Sequence, residues 1–169
     1  VANDALPVIG WREWAGLPDL AVARVKAKVD TGARSSALHA FDLHVTRRRG
    51  REIVRFRIHP LQRDARVAVE AEAEVAEYRT VKNSAGMRTR RPVIRTLLEL
   101  GGACWPIELT LVGRDEMGFR MLLGREAVRG RFVVDPSRSF LRGRAPSARR
   151  KGPGGRAPSA PGKKRKERR

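Results

Sequence analysis

The stretch that decides the fold is Val25-Lys26-Ala27-Lys28-Val29-Asp30-Thr31-Gly32-Ala33, read together with Met121-Leu122-Leu123-Gly124-Arg125 late in the chain. Apolar residues alternate with lysines up to Val29, the period of a half-buried strand. The strand then runs into Asp30-Thr31-Gly32. An aspartate here stands exposed at a strand end, and Gly32 permits a sharp turn with close backbone approach. Thr31 offers a hydroxyl that can bond across a symmetric contact. Only one such triplet exists, since Asp135-Pro136-Ser137 lacks the glycine. Two carboxylates held together share one proton, which allows one to act as base and the other as acid. A single short chain therefore reaches this chemistry only by pairing with a second copy, most simply through a two-fold contact.

The rest of the body has the same period. Val54, Phe56 and Ile58 alternate with Arg55 and Arg57. Val67, Val69, Ala71, Ala73 and Val75 alternate with Glu70, Glu72 and Glu74, and Ile107, Leu109 and Leu111 with Glu108 and Thr110. Strict alternation would scatter the alanines and valines of the Glu-Ala run around a helix, so it is read as a strand. Gly101-Gly102 predicts a tight hairpin, and Asn83-Ser84-Ala85-Gly86 predicts a second turn. The short helix is expected over 125–129. Many short strands punctuated by turns predict an all-β domain, small and closed or sandwiched, over residues 1–141.

From Arg142 the composition changes. Residues 142–169 hold 12 Lys/Arg and one Glu, and Gly143-Arg144-Ala145-Pro146-Ser147-Ala148 recurs as Gly155-Arg156-Ala157-Pro158-Ser159-Ala160. Without large apolar residues such a segment cannot offset its ordering entropy, and a disordered basic tail is expected. The whole chain carries a formal charge of +19, which favours polyanionic partners such as RNA, ribosomes or acidic peptides. No aromatic-rich RNA-binding signature accompanies the tail, so it is read as a tether to an anionic target. Cys104 is the single cysteine, which excludes an internal disulfide framework and fits a reducing, cytoplasmic setting. No apolar run approaches the roughly 18 residues of a membrane span, and residues 1–14 do not read as a signal peptide.

Lys26-Ala27-Lys28-Val29-Asp30-Thr31-Gly32-Ala33-Arg34-Ser35-Ser36-Ala37-Leu38-His39-Ala40 resembles the retropepsin-like peptidases associated with ATP-grasp ligases, a family also described as ATP-dependent zinc proteases. The likeness continues through Arg91-Pro92-Val93-Ile94, Trp105-Pro106-Ile107-Glu108-Leu109-Thr110, Met121 to Arg125 and Gly130 to Leu141, and takes in Gly10 to Trp14 and Leu17-Pro18. The resemblance implies a retropepsin-type barrel and an aspartic-type peptidase working as a homodimer. The catalytic carboxylate then falls on Asp30, with Thr31 and Gly32 supporting it, and Leu122, Leu123, Gly124 and Arg125 bracing the aspartate loop. It further implies hydrolysis of peptide or isopeptide additions made by a partner ATP-grasp ligase. A non-catalytic binding module that partners such a ligase, or reaches RNA or the ribosome through its tail, is the alternative.

Viral retropepsins tend to place acidic residues after Asp-Thr-Gly-Ala, where this chain has Arg34, Ser35 and Ser36. Guanidinium groups suit carboxylates by paired hydrogen bonds. An acidic, glutamate-rich substrate is therefore expected to meet Ala33, Arg34 and Ser35, with Arg88, Arg90 and Arg91 contributed by a flap after the 83–86 turn. Ser35 and Ser36 lack a Gly-x-Ser-x-Gly elbow and are read as loop hydrogen-bonding residues. There is no phosphate-binding Gly-x-x-x-x-Gly-Lys-Ser/Thr, so ATP belongs to a partner, and no cofactor is expected. The weak metal candidates are His39, His44 and His59, with Cys104. No His-Glu-x-x-His is present; His39 is read as part of the packed or substrate-facing loop after the aspartate, and His44 and His59 as surface residues. Trp11, Trp14 and Trp105 are expected to pack, and Asp42, Asp115 and Asp135 to mark turns and strand ends.

Overall fold

The computed structural model describes residues 5–61, 67–82, 86–113 and 118–143. The basic tail from 144 onward, the tip of the 83–86 turn and Asp115 lie outside the described residues. The strands are β1 (Val8–Gly10), β2 (Arg12–Leu17), β3 (Val22–Asp30), β4 (Ser36–His39), β5 (Phe41–Arg48) and β6 (Arg51–Ile58). They continue as β7 (Val69–Lys82), β8 (Arg88–Leu100), β9 (Ala103–Val112), β10 (Met121–Gly124) and β11 (Val133–Asp135). The one α-helix among the described residues, α1, is the single turn Arg125–Val128. The architecture is all-β.

Neighbouring strands run in the order β2-β3-β10-β4-β9-β8, and a pairing of Gly16 with Glu99 returns β8 to β2 and closes the ring. Beyond β8 the sheet continues through β7 and β6 to β5 as an arm. The predicted alternations hold as faces. Val25, Ala27 and Val29 of β3, Phe56 and Ile58 of β6, and Leu109 and Leu111 of β9 are buried in a common core. Glu70, Glu72 and Glu74 of the Glu-Ala run are exposed and form ion pairs with Arg55, Arg48 and Arg51. The strand itself starts at Val69 rather than Val67 and runs on to Lys82, past a register shift between Val75 and Glu77.

Gly101 and Gly102 have φ of 62° and 85° and join β8 to β9, with Leu100 opposite Ala103. Two successive left-handed residues are what a two-residue turn of this hand requires, which is why glycine occupies both. Trp105 is buried, and its indole N–H donates to the Ala127 carbonyl at 3.1 Å. Trp14 is half-buried and stacks on Phe140.

The two ends of the domain meet. β1 pairs in parallel with β11, and fully buried Glu13 ties the ends together. Its carboxylate accepts the N–H groups of Gly10 at 2.7 Å, Leu141 at 2.8 Å and Arg142 at 3.1 Å. A buried carboxylate is tolerable only when its lone pairs are so occupied. Glu13→Gln presents an amide N–H to the Arg142 N–H. It is expected to lower unfolding stability by about 2 kcal/mol, measured by urea denaturation at neutral pH.

Candidate active site

β3 delivers Asp30 to the rim of the ring, where the chain leaves the sheet. Asp30 Oδ1 accepts the N–H groups of Gly32 and Ala33, each at 3.1 Å. The side chain thereby closes its own turn, the usual reason for aspartate at such a corner. Thr31 and Gly32 are exposed at the tip, while Asp30 is half-buried.

The chain returns as β4 one place away, and β10 lies between β3 and β4. β10 runs parallel to β3, with Leu123 opposite Val29 and Gly124 opposite Asp30. Leu123 is fully buried and anchors the strand, while half-buried Leu122 pairs with Lys28 and Ala37. Gly124 N–H donates to Ser36 Oγ at 3.1 Å, so Ser36 is the loop hydrogen-bonding residue expected of it. Backbone N–H groups of Arg125 and Glu126 donate to the carbonyls of Ala33 (2.9 Å) and Arg34 (3.1 Å), and Arg125 Nη1 donates to that of Gly32 (3.0 Å). Three consecutive carbonyls of the aspartate loop are thus held from one element. The segment after β10 turns helical because its first N–H groups find these acceptors.

Beside this loop is a cavity of about 310 Å³, lined by Arg34, Ser35 and Ser36 on one side and by Arg79, Glu108 and Glu126 among those on the other. Arg79 comes from the β7–β8 hairpin and is hydrogen-bonded to Glu108 of β9 and ion-paired with Glu77. The Arg79 hydrogen bond, helped by the nearby charges of Arg95 and Arg34, holds the Glu108 carboxyl below its ordinary range. Burial works in the opposite direction. The pair's contribution is therefore complete at neutral pH and fades as pH falls below the usual titration of glutamate.

Strand parity divides the expected flap arginines. Arg91 stands opposite Arg79 and shares its face. Arg90 lies on the other face, 3.9 Å above the Tyr78 ring, and Arg88 shares that face opposite Lys82. Burial and a hydrogen bond with Glu52 raise the Tyr78 phenol above its normal value. Arg79 and Glu108 were not singled out from the sequence. Glu108 lies in a strand readable by alternation and Arg79 in the extension of another, but the two meet across β8, which stands between their strands.

The histidines stand apart. His39 is buried on β4 with Arg120 Nη1 at 3.2 Å from its Nδ1. His44 is exposed on β5, a different strand from His39, and His59 stacks on Phe41. Cys104 is exposed on β9. Among the described residues no three His, Cys, Asp or Glu side chains gather as a metal-holding group. Asp135 caps its own turn through Ser137, and Asp42 sits at a left-handed corner of β5.

A closed ring of strands that carries one Asp-Thr-Gly turn, clasped by a returning Leu-Leu-Gly strand, defines a retropepsin-like domain. Residues 8–145 match the RimB-like family, described as retropepsin-like aspartic endopeptidase RimB, and the chain belongs to that family. It is 44% identical over 136 residues to a protein of Shewanella pealeana named probable alpha-L-glutamate ligase, covering 80% of this chain and 30% of that one. A protein of the same name from Parasynechococcus marenigrum is 48% identical over 136 residues, 80% of this chain and 29% of its own. The chain thus spans under a third of the length of these relatives. A crystal structure of a protein of unknown function from Legionella pneumophila is similar with a TM-score of 0.67 at 28% identity, covering 81% of this chain and 98% of that one.

Proposed function

We propose that the chain is one subunit of an aspartic-type peptidase whose active site is completed by a second copy across a two-fold axis. The observation that carries this reading is the Asp30 turn, closed by its own carboxylate and held by Gly124 and Arg125. In the dimer the two Asp30 carboxyls share one proton and titrate as a pair. The ionised member takes a proton from water as its oxygen attacks the peptide carbonyl carbon. The protonated member donates to the carbonyl oxygen. Collapse of the tetrahedral species breaks the C–N bond, and the amine leaves with a proton from the pair.

The substrate class we propose is an acidic peptide, such as a glutamate-rich addition made by an ATP-grasp ligase. Relatives named for glutamate ligation support this, as does Arg34 beside the aspartate loop. The basic segment that follows Gly143 would serve as a tether to an anionic partner, with a steep salt dependence. Arg34→Ala is expected to raise KM for an oligoglutamate peptide about fivefold, with kcat little changed. KM for the matched oligoglutamine peptide should stay constant. Equal rises for both peptides would remove the charge argument.

A further inference from the structure

The cavity beside the aspartate loop has an uneven charge arrangement. Glu108 lies among three guanidiniums: it is hydrogen-bonded to Arg79, stands 3.8 Å from Arg95, and feels the charge of Arg34. Arg79 in turn holds two carboxylates, Glu77 on its own strand and Glu108 across the hairpin. The other acid lining the cavity, Glu126, is 3.2 Å from Arg129 and so has its own partner. Among the described residues, the Arg34 guanidinium has no hydrogen-bonded or ion-paired partner, and the side chain is exposed.

Exposure separates the two partners further. The Arg79 and Glu108 side chains are 32% and 41% exposed, so water and solutes reach the pair. A half-exposed ion pair is worth little by itself, because solvent screens it. Exchange of one carboxylate for another on the same guanidinium is then nearly balanced, and a second free guanidinium tips it.

We infer that Glu108 is an exchangeable counter-ion: an acidic side chain of a bound peptide displaces it from Arg79 and takes Arg34 as a second donor. Glu77 keeps Arg79 in place during the exchange. Glu108 then falls back on Arg95, which already faces it across β8 and β9. The site discriminates glutamate from glutamine because a neutral amide cannot displace a carboxylate from a guanidinium. Arg79 and Glu108 are thus specificity residues of the proposed peptidase, and this inference rests on that reading for its substrate class.

The test separates binding from turnover. Hydrolysis is followed with the unaltered protein, and affinity with full-length Asp30→Asn protein, using labelled pentaglutamate and pentaglutamine peptides and fluorescence anisotropy. In that background Arg79→Gln should weaken pentaglutamate binding about fivefold, and Glu108→Gln should tighten it about threefold, with pentaglutamine unaffected. Arg55→Gln and Glu70→Gln make the same changes of net charge at an exposed pair on β6 and β7, and should leave both affinities unchanged. Four outcomes overturn the exchange: no effect of the cavity variants, weaker binding by Glu108→Gln, effects equal to those of the control pair, or no preference for glutamate over glutamine. Absence of hydrolysis with the predicted affinities would count against the peptidase alone.

Discussion

Gly124→Ala is expected to lower unfolding stability by about 3 kcal/mol, a fall in Tm of about 10 °C for a domain of this size, and to remove activity with it. A Cβ at this position would stand 2.4 Å from the Ser35 carbonyl carbon, 2.5 Å from the Ser35 oxygen and 2.7 Å from the Arg34 oxygen. Every one of these is a backbone atom of the loop that follows Asp30, so no side chain can swing aside. The φ of −72° and ψ of 163° at Gly124 suit any residue. The demand for glycine is therefore steric, set by the close approach of β10 to the loop. Relief requires the loop to lift, which strains the Arg125 and Glu126 hydrogen bonds to Ala33 and Arg34. Gly113→Ala is the control, since its Cβ would meet only the Ala40 carbonyl at 3.9 Å. Thermal unfolding of the two variants side by side checks the claim. Similar Tm values would mean that β10 does not grip the loop as tightly as described.

Asp30→Asn is expected to cut kcat by about a thousandfold or more, the scale seen when a residue essential to the chemistry is removed. Stability should change by less than about 1 kcal/mol. The separation of the two effects follows from the geometry. Asn Oδ1 can still accept the N–H groups of Gly32 and Ala33, as Asp30 Oδ1 does. The turn survives, but in the dimer both members of the proton-sharing pair become amides. Neither can take a proton from water. A large loss of Tm in this variant would place Asp30 among structural residues, and retained kcat would place the chemistry elsewhere.

Much of this was readable in the sequence because β structure writes its period directly. Val25, Ala27 and Val29 alternate with lysines and are buried in the core. Gly101-Gly102 marks its hairpin because few other residues accept two left-handed dihedrals in succession. The Asp30 turn was likewise recognisable, since each residue type answers a local demand, whereas the bracing role of Leu122-Leu123-Gly124 came from the family resemblance. What stayed hidden depends on tertiary closure. Glu13 reads as a polar residue within Trp-Arg-Glu-Trp, yet it is fully buried and joins segments about 130 residues apart in sequence. The division of Arg88 and Arg90 from Arg91 follows from strand parity once β7 and β8 are paired, and the 83–86 turn alone does not supply that register. Arg79 and Glu108 meet across β8, which stands between their strands, so their contact is a tertiary matter that no local pattern announces. Both appear in the sequence as ordinary members of charged, exposed strand faces.

The most direct test is mass spectrometry of a peptide with a C-terminal oligoglutamate tail, incubated with the full-length protein and with its Asp30→Asn variant, with and without a chelator. The account predicts trimming by the unaltered protein alone, at the same rate in the presence of the chelator. Trimming that persists in Asp30→Asn, or that the chelator abolishes, would contradict an aspartate-dependent mechanism.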